Sequence, residues 1–180
     1  MTVVTYARFR VAVAEEAPGA SFTPVGGLNA EVPRPSHRVG GVRRSCVEYY
    51  RAVGGLPQRA LLGGTWAPDA RGVLRIDVHH SELASGGLPT CAGELGHPLV
   101  PGLPREYGSV ILATLRGSEL PSGHLTVDRA AHDLVESSEV AFRAAAVLLV
   151  AALGAPPEGV LKAIEDRLTR LGGEAPGGAV

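Results

Sequence analysis

The chain has 180 residues and a mass of 18.6 kDa, with 17 basic and 18 acidic residues and a formal net charge of −1. That length supports one domain with a sizeable buried core. The charge balance excludes a histone-like coat for nucleic acid and an acidic disordered tail.

Glycine (24) and proline (14) make up about a fifth of the chain and aromatic residues only 4%, which predicts a loop-rich fold around an aliphatic core. Lys162 is the only lysine, a bias of base composition rather than of function. Cys46 and Cys91 stand far apart with no CxxC and read as free, buried thiols of a cytoplasmic protein. The N-terminus lacks a basic segment followed by an apolar run, so no signal peptide is expected. The longest apolar run, residues 144–153, is half of the roughly 20 residues a membrane span needs, and no membrane partner is expected.

In chain order, residues 2–14 read as a strand, with Val3, Thr5, Phe9, Val11 and Val13 among polar neighbours. The Gly/Pro-rich stretch 17–42 predicts a long loop, 43–53 a short helix, and 54–72, with its glycine pairs at 54–55 and 63–64, loop again. Together they make 17–66 an irregular excursion from a single domain spanning 1–171. Residues 72–80 are the clearest strand: Leu74, Ile76, Val78 and His80 face one way, Val73, Arg75, Asp77 and His79 the other. Residues 81–103 predict loops and one short strand. Pro104 opens a helix to about residue 115, closed by Gly117. Residues 124–128 read as a strand. A strong helix then runs to Leu153, with Asp133 as its cap and Glu136 completing a capping box, stopped by Gly154 and Pro156. A last helix starts at Pro157, with Val160, Leu161, Ile164, Leu168 and Leu171 on its buried stripe, and 172–180 reads as a disordered tail. The expected class is α+β in two layers, helices on one face of a small mixed sheet.

No GxxxxGK[ST], no GxGxxG after a strand, no GxSxG and no HExxH occurs, which removes P-loop nucleotide enzymes, dinucleotide enzymes, α/β-hydrolases and zincins. Neither a cofactor nor a metal is therefore expected.

Two segments carry a family signal. In GLPREYGSVILATL (102–115), Pro104, Glu106 and Tyr107 form a P-x-E-Y helix start. In residues 123–153, His132 and Asp133 are followed by Ser137, Ser138, Glu139, Ala141 and Phe142. These motifs, with GTWAPDARGVLRIDV at 64–78, resemble domain IV of the elongation factor G family of translational GTPases, over about half the chain. The resemblance implies a βαβ unit with a left-handed crossover and a stand-alone module that contacts RNA or the ribosome. The GTPase domain has no counterpart here, so GTP hydrolysis is not implied. The same fold serves small-molecule enzymes, so fold alone leaves function open.

Three groups of side chains are candidates for chemistry. His132, Asp133 and Glu136 could share a helix face as a proton-transfer set, or Asp133 and Glu136 could simply cap a helix. His79 and His80 precede Ser81 and Glu82 in an HHxE pattern resembling the HHxxE of imidazoleglycerol-phosphate dehydratases, although consecutive strand residues point to opposite faces. Tyr107 completes the catalytic candidates. Separately, Arg34, Arg38, Arg43, Arg44 and Arg51 crowd residues 34–51 against Glu48 alone, beside Tyr49 and Tyr50. Such arginines suit RNA phosphates, an anionic small molecule, or a solvated arm.

Two functions follow. One is an RNA-, ribosome- or phosphate-binding module. The other is a repurposed biosynthetic enzyme of lyase, isomerase or cyclase type, using general acid–base chemistry on an anionic or polycyclic small molecule. A homodimer is compatible with either.

Overall fold

The computed structural model describes residues 2–36, 41–52, 55–81 and 88–172. Eight strands form one mixed sheet: β1 (Thr2–Tyr6), β2 (Phe9–Ala14), β3 (Gly26–Pro33), β4 (Arg43–Arg51), β5 (Gln58–Pro68), β6 (Val73–His80), β7 (Val100–Pro101) and β8 (Gly123–His132). The order across it is β1-β2-β4-β5-β8-β6-β3, and the short β7 pairs with the end of β8. Every pairing is antiparallel except β6 with β8, which α1 (Arg105–Arg116) connects. Helices α2 (Glu139–Gly154) and α3 (Val160–Gly172) join α1 on one face. Val11, Val47, Leu62, Leu74, Ile76, Leu125 and Val127 of the sheet and Ile111, Phe142, Leu149 and Ile164 of the helices share one core. The protein is thus an α+β fold in two layers, with a larger sheet than expected.

Residues 2–14 form a hairpin rather than one strand. Tyr6 pairs with Phe9, and Ala7 takes φ +51° in the two-residue turn. No Gly or Asn announces that turn, so the alternation ran through it.

The largest correction concerns residues 17–66. The supposed loop and short helix contain β3, β4 and most of β5. Strand β4 does not alternate because both its faces are covered: Val47 and Tyr49 lie in the helix-side core, while Cys46 and Glu48 are buried on the other. The glycine pair of β5 serves close approach rather than a turn. A Cβ at Gly63 would collide with Cys46 Sγ, and one at Gly64 with the Thr126 carbonyl, where the β5–β8 register shifts by a bulge. Strand β3 is an edge strand, where alternate exposure and a terminal proline are tolerated.

Helix α1 begins after Pro104 and is closed by Gly117 as expected. Helix α2 begins later than expected. Its cap is Ser138, whose Oγ accepts from the Ala141 N–H at 3.2 Å. Asp133 caps a separate turn over 133–137 instead, its Oδ1 accepting from the N–H of Val135 and of Glu136 at 2.8 Å each. The last helix opens with a single 3-10 turn at Pro157–Gly159, and only Ile164 and Leu168 of its stripe are fully buried. The expected tail lies outside the described residues beyond Gly172. No helix among the described residues is long and apolar enough to cross a membrane.

Candidate functional site

The sheet face opposite the helices is divided. Over β4, β5 and the end of β8 it is covered by residues 17–20 and 91–99, which bury Ala20, Leu61, Cys91, Leu99 and Ala131 together. Over β3, β6 and the start of β8 it is open. Each part carries one group of ionisable side chains.

Beneath the cover lies an ion pair with no exposed surface. Arg59 donates through Nε and Nη2 to Glu48 Oε1 at 2.8 and 2.6 Å, and through Nη1 to the His97 carbonyl at 2.7 Å. Glu48 Oε2 accepts from the Glu94 N–H at 2.7 Å. Residues 93–97 are therefore tied to the floor of the sheet by charge-assisted bonds. A Cβ at Gly93 would fall on Arg59 Nη2, so the backbone approaches this closely only as glycine.

At the rim of the cover stand His97, Asp133 and Glu136. His97 Nε2 lies 2.6 Å from Asp133 Oδ2, and a ligating atom from each of the three residues lies within 4.8 Å of the others. Ser137 Oγ donates to the Arg59 carbonyl at 2.7 Å and accepts from the Asp133 N–H at 2.9 Å. The Arg59 N–H donates to the Glu136 carbonyl at 3.0 Å. This turn is thus held by the same strand that carries the ion pair.

Burial alone would raise the Asp133 carboxyl. The Glu136 N–H, His97 and the Val135 N–H outweigh it and hold it below its ordinary value of 3.8. A carboxyl that is low in the folded state adds stability above its unfolded value, and that stability is lost as the pH falls through the folded one. Asp133→Asn keeps the oxygen acceptor but removes the charge. The variant is expected to be less stable at neutral pH, with the gap closing between about pH 4 and pH 2. Urea titrations across that range check it; a gap independent of pH would show that the charge contributes nothing.

On the open part, His124 Nε2 lies 2.6 Å from Asp77 Oδ2. Asp77 pairs across the sheet with Asn29 on one side and Thr126 on the other, and His79 follows on the same face. Asn29, Asp77 and His79 line a shallow concavity of about 400 Å³, and Asp77 and His124 border an adjoining one of about 230 Å³ with Glu31 and Arg75.

The remaining catalytic candidates go elsewhere. His80 turns to the helix side with its Nδ1 buried and unpartnered. His132 is buried, its Nδ1 3.2 Å from the Gly102 carbonyl. Tyr107 stacks on Phe142 with centroids 4.7 Å apart, its hydroxyl donating to the Ser137 carbonyl at 3.4 Å. So Asp133 and Glu136 come together, joined by His97 rather than His132, and His79 joins Asp77 and His124. Nothing in the local sequence flags His97 or His124, because their carboxylate partners are 36 and 47 residues away. Both thiols are protonated at neutral pH and unsuited to nucleophilic work: burial pushes Cys46 up to about 11 and raises Cys91 as well.

The arginines of 34–51 do not form one surface. Arg34 Nη2 donates to the Arg116 and Ser118 carbonyls at the end of α1. Arg43 donates to the Leu153 and Ala155 carbonyls at the end of α2. Arg44 pairs with Glu16 at 2.8 Å, and Arg51 lies over the Phe9 ring. Arg38 lies outside the described residues. Two arginines thus complete helix ends.

No protein-family model matches the chain, and no curated protein matches it closely enough to count as a relative.

Proposed function

We propose that the protein acts on, or binds, a small polar molecule on the open part of its sheet, and that any reaction there is general acid–base chemistry. The observation that carries this reading is the Asp77–His124 pair at 2.6 Å beside a concavity also lined by His79 and Asn29. A carboxylate bonded to Nε2 fixes the ring's orientation and tautomer and leaves Nδ1 to take or give a proton. Asn29 supplies neutral hydrogen bonds, and Arg75 beside the adjoining concavity suits an anionic substituent. A cytoplasmic setting belongs to the same proposal and rests on the two free, buried thiols.

The proposed kinship with domain IV of the elongation factor G family rests on residues 104–107 and 132–142. Its RNA-binding function is less well supported than the small-molecule reading, because four of the five arginines expected to carry it are engaged within the protein.

The test is a titration of the ¹⁵N-labelled protein with a panel of small organic acids and hydroxy-carbonyl compounds, and separately with a short single-stranded RNA at low salt. Amide shifts confined to residues 26–31, 75–79 and 124–126, lost in His124→Ala, are the expected result. Salt-sensitive RNA binding centred on residues 43–51, with no small-molecule response, would overturn the reading in favour of the RNA module.

A further inference from the structure

We infer that His97, Asp133 and Glu136 form a binding site for a first-row divalent metal ion, with Zn²⁺ the best fit, at the rim of the covered half of the sheet. The inference does not rest on the small-molecule reading, which concerns the open half.

The first support is the ligand set. One imidazole and two carboxylates, with ligating atoms within 4.8 Å of one another, match the donor types and number that leave Zn²⁺ a position open for water. The two carboxylates balance the charge of the ion. Soft thiolate ligands do not enter, since Cys91 is buried under the cover with its thiol protonated, which favours N/O-tolerant ions over copper(I).

The second support comes from Glu136. Its Oε2 is buried and has no hydrogen-bond partner. A carboxylate oxygen withdrawn from water without a donor is costly, and among nearby side chains only His97 offers an N–H. That N–H is already directed at Asp133. A cation bound between the three residues would satisfy the orphan oxygen directly.

The third support is rigidity around the ligands, which such a site requires. Asp133 has its other oxygen, Oδ1, fixed by two backbone N–H groups, which leaves Oδ2 directed at His97. Glu136 is fixed through its carbonyl to the Arg59 N–H. His97 is fixed through its own carbonyl to the buried Arg59 guanidinium. All three ligands thus hang on one residue of β5, while the His97 side chain is 57% exposed and gives the ion an entry path. Binding exchanges the proton shared by His97 and Asp133 for the metal, so affinity falls as the pH is lowered.

The test uses the full chain after treatment with chelator. Co²⁺ is titrated while visible absorption is recorded, and Zn²⁺ is titrated by calorimetry. One Co²⁺ per chain is expected, with d–d bands that Zn²⁺ abolishes, and Zn²⁺ should raise the melting temperature. Loss of a residue that merely supports a ligand costs about 10–100-fold in affinity, so His97→Ala and Glu136→Gln, which each remove a ligand, should weaken binding about 100-fold or more. Both variants replace accessible or isosteric groups, and circular dichroism verifies their fold. The double variant H79A/H124A should bind as the parent does. The proposal is overturned by the absence of heat and of d–d bands, or by binding that survives both ligand variants. It is overturned equally by binding lost only in the H79A/H124A protein.

Discussion

Replacing Arg59 by methionine is expected to destabilise the protein by about 3–5 kcal/mol. The cost comes less from losing an attraction than from leaving a charge stranded. Glu48 has no exposed surface, and of its two oxygens one is bonded only to Arg59 and the other only to the Glu94 N–H. The substitution also strips the His97 carbonyl of its donor, worth about a further 1 kcal/mol if water does not reach it. Urea denaturation with the parent's m-value is the appropriate measurement. The double variant E48L/R59M removes both charges and is expected to recover part of the loss, since an apolar replacement of a buried pair is often neutral. Recovery stays incomplete because the Glu94 N–H and the His97 carbonyl keep no partner. A single-variant loss below about 1 kcal/mol would show that water reaches the pair in solution.

Phe142→Ala should cost about 3–5 kcal/mol, by emptying the centre of the other layer. Phe142 is fully buried in the core and stacks on Tyr107, so the variant leaves a void between α1 and α2 as well as against the sheet. The stacked pair contributes about 0.5–1.5 kcal/mol beyond its buried area, so Tyr107→Leu should cost far less than Phe142→Ala. Comparison of the two denaturation midpoints decides this. If Phe142→Ala costs under about 1.5 kcal/mol, the neighbouring alanines of α2 have collapsed into the space.

The helical layer and β6 were legible in the sequence because each follows a single physical rule. Leu74, Ile76 and Val78 alternate with polar residues on a strand covered on one side, and Pro104 and Gly117 bracket α1. Strands β4 and β5 were not legible for the converse reason. Burial on both faces erases alternation, and Gly63 and Gly64 carry the composition of a turn while meeting the needs of close strand contact. The arginine count of 34–51 misled in the same way. Charge is visible in a sequence, but the carbonyls at the ends of α1 and α2 that receive Arg34 and Arg43 are not. Asp133 and Glu136 could be paired by their spacing. Their third member, His97, comes from another segment and is placed by Arg59, whose own partner Glu48 is hidden in a strand that read as a helix.

The position of β8 also bears on how the chain assembles. It lies between β5 and β6, which precede it in sequence and are consecutive to each other. As the polypeptide leaves the ribosome, those two strands emerge with facing edges that nothing yet fills. Their neighbour arrives only after α1 has been made. Until then the apolar edge of β5 is a template open to other chains. The sheet closes through contacts distant in sequence, which makes for slow folding, and a polypeptide stopped before Gly123 would present that gap permanently and aggregate.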